Sequence, residues 1–298
     1  MYLNKFKGTG VAIVTPFLKN GDIDFKSFSK LIKYIISNNI DYIVVLGTTA
    51  ETPTLSEEEK NYIIEFVKNE NAGKLPIVVG VSSNNTKQLI DKIKRINFEG
   101  IDAILSVCPY YNKPNQEGVF KHFEAVASAS PVPVIIYNVP SRTGGLGITA
   151  TTTVRLANEF DNIIGIKEAS GNMLQIMEII KNKPENFLVI SGDDALTLPI
   201  IAAGGSGVIS VVANAFPSMF SKMVNFCLKG DFAAAREIHY KLLDITNYFF
   251  LEGSPAGVKV ALETLSICNN ILRLPLTPVS EQLKDKIKRL TLMILSNN

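Results

Sequence analysis

The stretch Ile163-Ile164-Gly165-Ile166-Lys167-Glu168 begins with four residues that carry no polar side chain and ends with two charged ones. A short apolar run without polar alternation is typical of a parallel β-strand that is covered on both faces. Seven other runs of this kind recur along the chain at roughly regular intervals. The eight predicted strands span residues 11–14, 42–46, 77–81, 103–107, 134–137, 163–166, 187–190 and 208–212.

Segments with helical periodicity fill the gaps between these runs. Phe25, Phe28 and Leu31 begin one apolar stripe, and Ser56 and Glu59 have the spacing of a capping box at the start of another helix. Alternating strands and helices predict an α/β protein with a parallel sheet, and eight strands are the number that closes a (β/α)8 TIM barrel. A doubly wound open sheet is the alternative.

The strand pattern stops near residue 230. Three helices are predicted beyond it, over residues 232–250, 256–266 and 281–295. We therefore predict a barrel domain over residues 1–229 and a C-terminal helical extension over residues 230–298, packed on the barrel.

Composition narrows the class of protein. Thirty basic residues stand against 28 acidic ones, and this balance argues against nucleic-acid or membrane-surface partners, which require clustered positive charge. The three cysteines are widely separated, which is typical of a reduced, intracellular chain. No signal peptide or long apolar stretch is evident, so we expect a cytoplasmic location.

Candidate catalytic residues are those that follow the predicted strands, because barrel enzymes react at the carboxyl ends of their strands. Lys167 follows its apolar run without a break. Burial disfavours a charged ammonium, so an amine at this position is a candidate nucleophile toward carbonyl groups. The alternative interpretation is a lysine that pairs with Glu168 or extends to the rim of the barrel.

Four other residues at strand ends support the catalytic interpretation. Tyr137 can transfer protons, Thr48 and Thr49 carry hydroxyls, and Arg142 has the planar fork that binds carboxylates. Each has an ordinary structural explanation when it is taken alone. Together, beside a buried lysine, they predict a Schiff-base site for a small 2-oxo acid.

Other chemistries find less support in the sequence. The two histidines, His122 and His239, fall in helical segments away from the strand ends. No histidine is therefore predicted where a zinc ligand or a general base would be needed. We interpret Asp193 and Asp194 as caps of the next helix. The glycine-rich segment 204–207 precedes the eighth strand, which predicts a tight turn rather than a phosphate site.

Two motifs carry a resemblance to a known family. They are Tyr-Asn-Val-Pro-Ser-Arg-Thr-Gly at 137–144 and Gly-Ile-Lys-Glu-Ala at 165–169. With them, nearly the whole chain resembles the dihydrodipicolinate synthase (4-hydroxy-tetrahydrodipicolinate synthase) family, within a wider group that includes N-acetylneuraminate lyase and 2-keto-3-deoxygluconate aldolase. The pair Thr48-Thr49 and Arg142 favour the synthase over the sugar-acid aldolases.

The resemblance implies a lyase that condenses pyruvate with L-aspartate 4-semialdehyde, on the route to diaminopimelate and L-lysine, with no cofactor and no metal. It implies a homo-oligomer, a dimer of dimers. The implied catalytic residues are Lys167 for the imine and Tyr137, Thr48 and Tyr111 for proton relay, with Tyr111 supplied by a neighbouring subunit. The implied substrate-binding residues are Thr49 and the backbone of Ile209 for pyruvate, Arg142 for the aldehyde substrate, and Gly192, whose carbonyl lines the pocket.

The sequence departs from the family pattern at two places. Ala50 stands where relatives have glycine, which matters only if that position needs a positive φ. Glu57, Lys60 and Gln88 replace the histidines and acidic residue of lysine-sensitive relatives, so we expect weak or no inhibition by L-lysine. A related aldolase, or a non-catalytic barrel that binds 2-oxo acids, remains an alternative to the synthase.

Overall fold

Eight parallel strands close into a barrel in the computed structural model, which describes residues 2–296. Each strand pairs with the next along the chain, and the eighth pairs with the first. The TIM barrel is therefore confirmed, and the open sheet is wrong. The strands are β1 (Gly8–Ala12), β2 (Tyr42–Val45), β3 (Ile77–Gly80), β4 (Ala103–Val107), β5 (Val134–Asn138), β6 (Ile163–Glu168), β7 (Leu188–Ser191) and β8 (Gly207–Ser210).

Helices follow the strands and form the outer layer. The capping box is confirmed: the Ser56 hydroxyl accepts from Glu59 N, and the Glu59 carboxylate accepts from Ser56 N. The helices are α1 (Phe25–Ile36), α2 (Glu57–Asn71), α3 (Thr86–Ile93), α4 (Gln116–Ala129), α5 (Ala150–Glu159), α6 (Met173–Asn182), α7 (Thr197–Ala202), α8 (Pro217–Leu228), α9 (Phe232–Leu251), α10 (Ala256–Thr264) and α11 (Glu281–Ser296).

The core has two layers. Alternate side chains of the strands fill the barrel, as Ile135 and Tyr137 of β5 do, while the intervening Val134 and Ile136 pack beneath the helices. Because both faces of each strand are covered, the strands read as continuous apolar runs. None of the helices in residues 2–296 has the length and apolar character needed to cross a membrane.

Strand β6 is two residues longer than predicted. Lys167 and Glu168 continue the ladder opposite Tyr137 and Asn138 of β5. The apolar pattern ended at Ile166, but backbone pairing does not depend on side-chain polarity. Lys167 consequently lies within a strand, and its backbone is fixed by neighbours on both sides.

The described part of the C-terminal extension, which we define as residues 230–296, contains helices α9, α10 and α11 and the loops between them. Helix α9 packs on α7 and α8, and α10 contacts the short turn 212–214 that follows β8. The division into domains at residue 229 stays a prediction, and the terminal residues 1, 297 and 298 of the predicted domains lie outside the described residues.

Candidate active site

A cavity of about 370 Å³ lies at the carboxyl ends of β2 to β5. Thr48, Tyr137 and Arg142 line it together with Tyr110. The structure thus brings three of the predicted site residues from different loops and strands to one cavity. This end of a barrel is the one at which such enzymes bind their substrates.

Lys167 lies beside this cavity on the neighbouring strand. The residue is 5% exposed, and its Nζ lies 4.2 Å from the centroid of the Tyr137 ring. Glu168 points the opposite way: its carboxylate accepts from Asn138 Nδ2 at 2.9 and 3.0 Å and from Ser170 N at 3.0 Å. Successive side chains of a strand face opposite sides, so the predicted alternative of a Lys167–Glu168 pair is wrong.

Because Gly192 has no Cβ, it leaves space for the side chain of Lys167. A Cβ at this position would lie 3.0 Å from both Cγ and Cε of Lys167 and 2.8 Å from Cβ of Ala169. These approaches are closer than ordinary van der Waals contact. Gly192 therefore packs directly against the aliphatic part of Lys167, at the end of β7.

Thr48 and Thr49 begin a short 3-10 turn after β2. Thr48 is partly exposed, while Thr49 is 5% exposed. The turn places its left-handed residue at Glu51, with φ of 56°, and Ala50 has no positive φ. The alanine is accommodated for this reason.

The two adjacent tyrosines after β4 differ in their environment. Tyr110 lines the cavity and is 38% exposed, whereas Tyr111 is 89% exposed and does not line it. The Tyr111 backbone has φ of 70°. The remaining predicted residue, Ile209, is buried inside the barrel in β8, opposite Gly10 of β1.

The prediction that Asp194 caps a helix is wrong. Its buried carboxylate accepts from Ser210 Oγ at 2.5 Å and from the backbone N–H groups of Val211 and Val212, so it joins the end of β7 to the end of β8. Burial raises the pKa of Asp194 to about 6. Asp193 accepts from the backbone N–H groups of Ala195 and Leu196, which precede α7, so it holds the turn before that helix and is not its N-cap. No pattern in the sequence distinguishes these two adjacent aspartates, although they bind different elements.

The comparisons with known proteins agree with this geometry. The model of the dihydrodipicolinate synthetase family matches residues 5–293. The chain is 52% identical over 282 residues to 4-hydroxy-tetrahydrodipicolinate synthase of Parabacteroides distasonis, covering 95% of each chain. The family predicted from the two motifs is confirmed.

Solved structures extend the similarity to the whole fold. The chloride-inhibited dihydrodipicolinate synthase of Acinetobacter baumannii, complexed with pyruvate, is 38% identical with a TM-score of 0.93, covering 97% of this chain and 99% of that one. A monomeric dihydrodipicolinate synthase variant is 36% identical with a TM-score of 0.94, covering 99% of this chain and 98% of that one. With its barrel, its buried lysine and these relatives, the chain belongs to the dihydrodipicolinate synthetase family.

Proposed function

We propose that this chain catalyses the reaction of 4-hydroxy-tetrahydrodipicolinate synthases, in which pyruvate condenses with L-aspartate 4-semialdehyde on the route to diaminopimelate and L-lysine. The observation that carries the proposal is the buried amine of Lys167 above the Tyr137 ring, at the carboxyl end of the barrel. The relatives named above support the same reaction. We place the enzyme in the cytoplasm, where its three unpaired, buried cysteines stay reduced.

The first stage forms an imine. The Lys167 amine attacks the C2 carbonyl of pyruvate, and the carbinolamine loses water. That loss needs a proton for the departing hydroxyl, and Tyr137 is the acid whose ring lies against Lys167. Thr48, on the wall of the same cavity, relays protons to Tyr137.

The second stage forms the new carbon–carbon bond. The iminium draws electrons from C3 of pyruvate, and the Tyr137–Thr48 relay takes the proton that leaves C3. The resulting enamine attacks the aldehyde carbon, and the aldehyde oxygen takes up a proton to become a hydroxyl. The amino group of the semialdehyde then adds to C2 and expels the Lys167 amine. The iminium is the electron sink throughout, so the proposed chemistry requires neither a metal nor an organic cofactor.

The two carboxylates are held at different places in this proposal. Thr49 and the backbone of Ile209 hold the pyruvate carboxylate, and Gly192 keeps space beside Lys167. Arg142 is exposed on the wall of the cavity, where its guanidinium can meet the carboxylate of the incoming aldehyde.

Replacing Arg142 with alanine should chiefly impair use of the aldehyde substrate. Losing a charge-assisted bidentate contact costs roughly 2–5 kcal/mol when the pair is desolvated in the complex. We therefore expect the KM for L-aspartate 4-semialdehyde to rise by one order of magnitude or more, with little change in the KM for pyruvate. Steady-state kinetics with each substrate varied in turn measures this.

Arg155→Ala is the matched control. Arg155 is also exposed, but it binds Glu117 and Glu159 on the outer surface of the barrel. Its loss should leave both KM values unchanged. A collapse of pyruvate affinity alone in Arg142→Ala would mean that the two carboxylate sites are assigned the wrong way round.

Tyr111 leads us to propose a shared site between subunits. Tyr111 is 89% exposed and does not line the cavity of its own chain. In the proposed assembly, the partner's Tyr111 enters this cavity and completes the proton relay. We propose a dimer at least, and a dimer of dimers by family resemblance.

Mixing two inactive variants, Tyr111→Phe and Lys167→Ala, tests the shared site. After subunits exchange, hybrids should recover activity, because one cavity of each hybrid pair contains Lys167 of one chain and Tyr111 of the other. Tyr240→Phe, which removes the hydroxyl of another exposed tyrosine, should be active by itself. Hybrids without activity, in a sample shown to contain mixed oligomers, would contradict sharing.

We expect L-lysine to inhibit weakly or not at all. Lys60 lines the cavity and shares the Glu57 carboxylate with Lys92, at 2.9 and 3.1 Å, so this wall presents two ammonium groups for one carboxylate. A cationic effector is repelled by that excess, and the neutral Gln88 offers no compensating charge. The measurement is turnover at saturating pyruvate with millimolar L-lysine.

The double substitution Lys60→His with Gln88→Glu tests whether these two positions determine the response to L-lysine. It restores the residue types of lysine-sensitive relatives, so it should increase inhibition if these two positions determine the response. Strong, saturable inhibition of the unmodified chain would show that the interpretation of these departures is wrong.

A further inference from the structure

A buried ion pair joins the C-terminal extension to the loop that carries Thr48 and Thr49. Lys259 Nζ of α10 lies 2.6 Å from Glu51 Oε1, and both side chains are 0% exposed. Lys259 also donates to the carbonyl of Ile271 at 2.7 Å. Burial lowers the pKa of Lys259, and the adjacent Glu51 opposes that shift.

Glu51 directly follows the 3-10 turn that contains Thr48 and Thr49, and the chain changes direction at this residue. Its backbone N–H donates to the carbonyl of Thr48 at 3.1 Å, and its φ of 56° lies in the left-handed region. Its second carboxylate oxygen accepts from the backbone N–H of Arg273 at 3.0 Å. Both oxygens of this carboxylate are thus held by the extension, while its backbone holds the threonine turn.

Arg273 of the extension fixes the far side of the same loop. Its guanidinium donates to the carbonyl of Thr54 at 3.0 Å and binds the Glu59 carboxylate at 2.5 and 2.7 Å. Thr54 N in turn donates to the Glu51 carbonyl at 2.8 Å. The barrel side contributes one more contact, from Thr15 Oγ1 to the carbonyl of Ala50 at 2.8 Å.

Stability alone is a weak explanation for the pair. Replacing a buried ion pair by apolar groups of similar size is often neutral or stabilising. Apolar packing is not directional, whereas hydrogen bonds are. A carboxylate whose two oxygens are both hydrogen-bonded therefore fixes the orientation of the turn to which it belongs.

We propose that Glu51 and Lys259 are positioning residues, through which the C-terminal extension sets the place of the Thr48 and Thr49 hydroxyls. The inference rests on the function proposed above for these threonines. Neither positioning residue lines the cavity, so both act through the threonine turn.

A double-mutant cycle between Lys259→Met and Thr48→Val tests the proposal. Methionine keeps an unbranched chain without the charge, and valine keeps the shape of threonine without the hydroxyl. We expect Lys259→Met to lower kcat about 10- to 100-fold, within the range for a misplaced proton-transfer group. The double variant should be within about threefold of Thr48→Val alone, because residues that act through one group are not additive. Effects that multiply would overturn the proposal.

A neutral pair keeps the test valid if the single variant unfolds. Glu51→Gln combined with Lys259→Met leaves no unpaired charge in the core, so we expect it to fold. Its kcat should still fall, because the direction given by the charged pair is lost. Wild-type kcat in this variant would mean that the pair contributes only stability, and the proposal would be wrong.

Two controls separate positioning from general loss of structure. Leu156→Ala removes a buried side chain of α5, away from the loop, and it should lower Tm while leaving kcat unchanged below the unfolding transition. We expect deuterium exchange at C3 of pyruvate to be slow in Thr48→Val, because a proton-relay hydroxyl is lost, and to be slow in Lys259→Met as well. If the unmodified chain does not turn over both substrates, the proposed function and this inference fall together. If the unmodified chain turns over both substrates but Lys259→Met and Thr48→Val lower kcat independently, only this inference is overturned.

Discussion

Replacing Lys167 with alanine is expected to abolish the labelling of the chain by pyruvate and borohydride. Borohydride reduces an imine to a stable secondary amine, so it marks the residue that formed the imine. Removing a covalent nucleophile also costs on the order of 10⁴-fold or more in turnover. Mass spectrometry of peptides from the labelled wild-type chain should therefore find one modified lysine, Lys167, and the variant should show none.

Two other lysines are built-in controls for this experiment. Burial lowers the pKa of both Lys183 and Lys259. A lower pKa increases the fraction of neutral amine, which is the form that attacks carbonyl groups. Lys183 follows α6 at the opposite end of the barrel, and Lys259 is held by Glu51. Neither should be labelled. Modification at either position, or undiminished labelling of Lys167→Ala, would contradict the Schiff-base mechanism.

The barrel could be predicted because its buried strands consist almost entirely of apolar residues. Each of the eight runs is covered on both faces, so the sequence shows continuous apolar segments where the structure has strands. The ends of strands were less predictable. Lys167 and Glu168 are polar but still belong to β6, because their backbones pair with Tyr137 and Asn138.

The candidate site could be predicted where it follows directly from strand ends. Thr48, Tyr137 and Arg142 line one cavity because the carboxyl ends of neighbouring strands meet there. The roles assigned to these residues stay predictions, as do those of Thr49, Gly192, Ile209 and Tyr111.

Contacts between distant parts of the chain could not be predicted in this way. Glu51 and Lys259 are 208 positions apart, and neither lies in a motif whose period or spacing connects them. Asp194 shows the same limit at shorter range, since its partners are the last residue of β8 and the two residues after it, 16 to 18 positions later. Only the closed barrel brings such residues together, so their pairing is a property of the fold.

Replacing Tyr137 with phenylalanine should lower turnover by about 10²–10⁴-fold, the usual contribution of a positioned acid–base group. The substitution keeps the ring whose centroid lies 4.2 Å from Lys167 Nζ, so the amine should keep its place. Imine formation should become slow but should still reach completion, because the nucleophile is intact. Stopped-time borohydride trapping measures the rate of imine formation, and steady-state kinetics measures turnover.

Tyr42→Phe is the matched control for this change. Tyr42 is also inside the barrel, but it lies at the start of β2, at the end opposite the cavity, where its hydroxyl donates to the carbonyl of Val208 at 3.3 Å. Losing that hydroxyl should cost stability and leave kcat unchanged. If Tyr137→Phe retained a near-wild-type rate, another group would have to move the protons. If both variants lost activity equally, the loss would reflect disturbance of the barrel interior. A large loss confined to Tyr137→Phe therefore assigns the proton transfer to the phenol beside Lys167.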